Sequence, residues 1–157
     1  MPQIKTKEDV FCMEQTMEHK QYVKKLMFEI ASMIKERGEK HDNTKLEEPE
    51  FSLFSKHTPR LAKLTYGSPE YKQALEDLKP ALIHHYANSR HHTEHFANGI
   101  KDMNLVDIME MFIDWYCASK RHDDGNIRKS IVINKERFGY SDDLERIFEN
   151  SIELIDK

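Results

Sequence analysis

Between Leu105 and Ala118 nearly every position is apolar, and the exceptions are acidic: Asp107, Glu110 and Asp114. This pattern predicts a buried central helix, capped by Asn104 and running to about Arg121, which the rest of the chain has to surround. The three carboxylates stand at i, i+3 and i+7, on one face. Burying a carboxylate is costly unless it is paired or bound to a metal. Asp107 has a local role available at the third helical position, where an acid serves the helix N-terminus. Asp114, in mid-helix between Ile113 and Trp115, has none, which makes it a candidate ligand.

Five glycines in 157 residues, with no sustained β-branched alternation, predict helices throughout. The expected fold is all-α, a single domain over residues 1–157 with about six to eight helices. A first helix is expected from near Asp9 to Gly38. Its stripe of Val23, Leu26, Ile30 and Ile34 would bury one face and turn His19 inward. Glu48-Pro49-Glu50 and Thr58-Pro59 read as the starts of two short helices, carrying Phe51 and Phe54, then Leu61 and Leu64. Ser68-Pro69 opens another, with Tyr71, Leu75, Leu78 and Leu82 leading to His85 and a kink or break expected at Pro80. Asn98-Gly99 and Asp123-Asp124-Gly125-Asn126 read as turns. Two last helices follow, one with Ile127, Ile131 and Phe138 closed by Gly139. The other is capped by Ser141 and carries Leu144, Ile147, Phe148, Ile152 and Ile155.

A net charge of −4 argues against a nucleic-acid-binding surface, and the local basic runs read as solvated helix faces. Cys12 and Cys117 have no CxxC spacing, which favours a reducing, cytoplasmic setting. The polar first residues do not read as a signal peptide, and no apolar run approaches the ~18 residues that span a bilayer.

The chemistry-bearing residues gather in two stretches. His41-Asp42-Asn43-Thr44-Lys45 offers an imidazole and a carboxylate side by side, a mixed N/O set suited to Zn²⁺, Mn²⁺ or Fe²⁺. Five of the nine histidines then fall between His84 and His95, around a turn expected at Asn88-Ser89. His85 is expected inside, because it continues the Leu78–Leu82 stripe. If His91 and His92 lie on a helix, one is expected to serve the site while the other meets solvent or substrate, since helical neighbours diverge by about 100°.

The order His19, His41-Asp42, Lys45 and Asp114 on a helical scaffold resembles the HD superfamily of metal-dependent phosphohydrolases, over about residues 19–114. The resemblance implies that His19, His41, Asp42 and Asp114 bind a divalent transition metal (Mn, Fe, Zn, Co or Ni). His85 and His92 are the candidates for a second ion or for substrate contacts, giving one or two metals per chain. It further implies hydrolysis of a phosphate ester, most plausibly a nucleotide. Lys45 and Arg90 would neutralise phosphoryl charge, and Glu110 or a cluster histidine would act as general acid. No Gly-Tyr-Pro segment follows, unlike in the cyclic-dinucleotide-cleaving branch. The alternatives are an HD-like module that sequesters a nucleotide without cleaving it, an HD-type di-iron oxygenase, and a purely structural helical protein. The whole chain also resembles a family of small bacterial and phage proteins without established activity. They share the run His84-His85-Tyr86, Arg90-His91-His92 and Glu94-His95-Phe96, and the segment Met103–Asp107.

Overall fold

The computed structural model describes residues 6–61, 63–64, 68–120 and 125–156. Arg121, the Asp123-Asp124 part of the expected turn and the side chain of Tyr71 lie outside the described residues. The described elements are helical: α1 Lys7–Lys40, α2 Glu50–Leu61, α3 Pro69–Asn88, α4 Leu105–Ser119, α5 Ile127–Phe138 and α6 Asp142–Ile155. Short 3₁₀ turns cover Asn43–Leu46, Thr93–His95 and Gly99–Asp102. No strand occurs among the described residues, and the fold is all-α. By its internal contacts the chain divides into two compact units, Met1–Glu39 and Lys40–Lys157.

The first unit is the helix α1. Its start is fixed by a capping box, in which the Asp9 N–H donates to Thr6 Oγ1 (3.0 Å) and the Thr6 N–H donates to Asp9 Oδ2 (2.9 Å). The helix passes through Gly38 rather than ending there. Taken by itself α1 is a single helix, so the stripe of Val23, Leu26, Ile30 and Ile34, and His19 on the same face, has no partner within its own unit. Periodicity determines which side chains share a face; it does not determine whether that face is covered.

In the second unit two expected breaks are absent. Pro59 lies inside α2 instead of opening a new helix. It stands in the last turn, where a missing N–H removes only one i→i−4 bond. Pro80 lies inside α3, which runs on through it as one element. Leu78 and Ala81, on either side of that proline, are buried, as is Ala74 a turn earlier. Their packing offsets the lost bond, and α3 therefore delivers His84 and His85 at its C-terminal end.

The core is built from Met103, Met111, Phe112, Ile127, Ile131, Tyr140, Phe148 and Ile152. Phe112 stacks on Phe148 with centroids 5.2 Å apart, and Trp115 packs edge-on against Phe148 at 5.6 Å. Each such side chain contributes about 1.5–3 kcal/mol by leaving water. The helix α4 supplies one wall of this core without being enclosed: Leu105 and Met109 are exposed. Asn104 caps it as expected, in a capping box with Asp107. Gly139 ends α5 at φ 65°, a left-handed conformation that costs glycine little, and Ser141 caps α6. The core thereby holds the opposite, acidic face of α4 toward the turns that carry the histidines.

Candidate metal centre

The chain leaves α1 at Lys40 and turns at once. Asp42 takes the left-handed conformation (φ 59°, ψ 12°) ahead of the 3₁₀ turn Asn43–Leu46. Aspartate tolerates this region better than most residues, at a cost of about 1 kcal/mol or more. This reversal places His41 against α4 and Asp42 against α3 and the turn that follows it.

Three histidines around Asp42 share one arrangement, each with Nδ1 against a carboxylate. His41 Nδ1 lies 3.0 Å from Glu110 Oε1, and His91 Nδ1 lies 3.2 Å from the same oxygen. His85 Nδ1 lies 2.9 Å from Glu50 Oε2. A carboxylate oxygen accepts, so each Nδ1 carries a proton and all three Nε2 atoms face the other way, those of His85 and His91 with a lone pair. Those Nε2 atoms converge on Asp42. His85 Nε2 is 3.3 Å and His91 Nε2 3.6 Å from Asp42 Oδ1, while His41 Nε2 is 3.6 Å from Asp42 Oδ2 and 3.5 Å from Asp114 Oδ1. His92 closes the group, its ring 4.2 Å from that of His91 and 4.9 Å from that of His85.

Four buried atoms in this group have no hydrogen-bond partner: Asp42 Oδ1, His85 Nε2, His91 Nε2 and His92 Nε2. Orphaned buried polar atoms are rare and costly, and a cation bound among these four would satisfy them together. The donor atoms of His85, His91 and His92 lie within 4.8 Å of one another, as do those of His41, Asp42 and His91. Separations of 3.3–3.6 Å also match those between ligands about 2.1 Å from a common ion. The residues therefore fit a divalent transition metal, with imidazole and carboxylate donors in the mixture that Zn, Mn, Fe, Co and Ni accept.

The electrostatics follow from this crowding. Hydrogen bonding to Asp114 and Glu110 raises the His41 pKa from its ordinary 6.5 to about 10. Burial pushes Asp42 up, but the hydrogen bond and charge of Lys45, with the imidazoles around the carboxyl, outweigh it and hold the group well below the usual range. Burial, with His91 and His85 alongside, lowers His92 to about 3 and leaves it neutral near pH 7. For Asp114, burial is outweighed by the bond and charge of His41, and its pKa is lowered.

Among the residues expected from the sequence, His41, Asp42, His85, His92, Glu110 and Asp114 come together. Lys45 joins them, its Nζ 2.7 Å from Asp42 Oδ2 and 5.5 Å from the centre of the Phe54 ring. His19 belongs to the first unit, and the group described here is built from residues of the second alone. The guanidinium fork of Arg90, expected to meet a phosphate, is taken up by Asp107: Nε donates to Oδ1 (3.0 Å) and Nη2 to Oδ2 (2.8 Å), over the Phe96 ring. Nor do His91 and His92 split between inside and outside. They lie in a turn, not on a helix, so the 100° divergence does not apply and both rings face the group. His95 is spent elsewhere, on the Tyr86 carbonyl.

Glu50 was not foreseen. It is fully buried and takes up His84 Nδ1 (2.7 Å), His85 Nδ1 and the Thr44 hydroxyl (3.0 Å). In the sequence it is an acid at a helix start, where acids are ordinary, so no local signal distinguishes it. No curated protein and no solved structure matches the chain. A family model does match residues 8–154, and the chain belongs to that family, a family of unknown function (DUF5662).

Proposed function

We propose that the second unit is a metal-dependent phosphohydrolase acting on a nucleotide or a related phosphate ester. The observation that carries the metal part is the clustering of four buried, partnerless atoms, Asp42 Oδ1 and Nε2 of His85, His91 and His92. The phosphohydrolase part rests on the likeness of His19, His41-Asp42, Lys45 and Asp114 to the HD pattern in the sequence.

His41, Asp42, His85, His91, His92 and Asp114 would hold the ion or ions. When bound, a divalent metal supplies Lewis acidity, activating water and drawing charge from phosphoryl oxygens. The chain's own residues do the rest. Glu110 orients His41 and His91 through their Nδ1 protons, a role its hydrogen bonds support better than that of general acid. Lys45 is one-third exposed and paired to Asp42, so it can reach toward an anionic substrate while staying beside the site. Arg90, committed to Asp107, leaves Lys45 as the cation best placed for that work. His92, neutral near pH 7, offers a lone pair without first losing a proton.

The test is elemental analysis of purified protein, followed by product release from a panel of nucleotides with Mn²⁺, Zn²⁺, Fe²⁺, Co²⁺ or Ni²⁺ added. Asp42→Asn is expected to abolish both metal retention and turnover. Metal retention with no turnover on any nucleotide favours the sequestering alternative, and iron-dependent dioxygen consumption favours the oxygenase. His19→Ala tests the remaining expected ligand: loss of metal brings His19 into the donor set, and unchanged metal content leaves the set to the second unit.

A further inference from the structure

We infer that Glu50 is the positioning residue of this centre: it sets the tautomer of His85 and ties the His41-Asp42 turn to α3. The inference rests on the metal reading above and adds a residue that the pattern of ligands does not contain.

Three donors from two separate elements meet this one buried carboxylate. His84 Nδ1 reaches Oε1 at 2.7 Å, while His85 Nδ1 and Thr44 Oγ1 reach Oε2 at 2.9 and 3.0 Å. Thr44 lies two residues after Asp42, in the 3₁₀ turn, and His84 and His85 end α3. Glu50 therefore joins the segment that supplies His41 and Asp42 to the helix that supplies His85. Its own place makes a buried negative charge tolerable, because it is the first residue of α2, where the helix dipole favours an anion.

The chemical consequence is at His85. Because Glu50 Oε2 accepts, the His85 proton stays on Nδ1 and the Nε2 lone pair faces Asp42 Oδ1, 3.3 Å away. The other neighbours of Nδ1 are hydroxyls, Thr44 Oγ1 at 3.1 Å and Ser89 Oγ at 3.3 Å, which can donate or accept and so impose no tautomer. Asp42 Oδ1 stands 3.3 Å from Nε2 but makes no hydrogen bond with it, so the Glu50 carboxylate, bonded to Nδ1 at 2.9 Å, decides the tautomer. An amide in its place changes the logic, since Gln offers one accepting oxygen to groups that now present three protons. With the amide NH₂ turned toward His85, the ring carries its proton on Nε2 and points an N–H, not a lone pair, at Asp42.

The experiment uses full-length protein labelled with ¹⁵N, stripped of metal, with histidine tautomers read from ring nitrogen shifts and couplings. His85 is expected as the Nδ1–H tautomer in wild type and as Nε2–H in Glu50→Gln. Zn²⁺ affinity by chelator competition is expected to fall about 10–100-fold in Glu50→Gln, the usual effect of losing a carboxylate behind a ligating histidine. Glu50→Asp, which keeps the accepting group, is expected to restore the tautomer, and His84→Ala to leave it unchanged. A wild-type His85 protonated on Nε2 overturns the inference, as does a Glu50→Gln variant with wild-type tautomer and affinity. If Glu50→Gln does not fold, the wild-type tautomer and the Glu50→Asp variant carry the same decision. If wild type binds no Zn²⁺, the metal reading fails, whereas the tautomer in metal-free protein still decides what Glu50 does.

Discussion

Arg90 separates a structural from a catalytic role most sharply. Replacing it by alanine removes two charge-assisted hydrogen bonds to Asp107, a carboxylate that is fully buried. Breaking a buried ion pair from one side costs about 3–5 kcal/mol. Here the arginine side chain is 43% exposed, so water screens part of the interaction. Asp107 also keeps the Asn104 N–H on Oδ2 (3.1 Å). The lost stacking over Phe96, centroid distance 4.9 Å, adds roughly 0.5–1 kcal/mol. The sum is about 2–3 kcal/mol, which for a chain of this size lowers the thermal midpoint by on the order of 5–10 °C. Differential scanning calorimetry of metal-free Arg90→Ala against wild type measures it, with Zn²⁺ affinity expected to stay within about twofold at a temperature where both are folded. An unchanged midpoint together with lost turnover would refute the argument and return Arg90 to the substrate.

Other outcomes follow from the same geometry. His41 has its pKa raised to about 10, so its contribution to the stability of metal-free protein is full below its ordinary 6.5 and is lost as pH rises through 10. His92, lowered to about 3, acts in the opposite sense, its contribution being full above 6.5 and lost as pH falls toward 3. Denaturation midpoints measured across pH 4–10 in chelator should therefore decline toward both ends, and His41→Gln should flatten the alkaline limb. Met111→Ala empties a site 2% exposed in the core and is expected to cost about 2–5 kcal/mol in urea denaturation. Asn104→Ala removes a cap that accepts from the Val106 and Asp107 N–H groups (2.9 and 3.0 Å) and is expected to cost about 1 kcal/mol.

The sequence by itself determined the helices and their chemistry-bearing faces. Local signals are enough for that: Asn104 and Ser141 cap, Gly139 stops a helix, and Asp107, Glu110 and Asp114 share a face because of the 3.6-residue repeat alone. The neighbourhood of His41 and Asp42 was legible too, since adjacent donors need no folding to be close. The tertiary structure decided what those groups touch. It carried α2 through Pro59, and it carried α3 through Pro80, where burial of Ala74, Leu78 and Ala81 outweighs the local preference. It committed Arg90 to Asp107, 17 residues away, and drew Glu50 in behind His85, 35 residues away. It also turned both His91 and His92 inward, because a turn does not obey helical spacing. Hydrogen bonds between distant side chains depend on how the elements pack, and a sequence periodicity carries no information about a partner on another element.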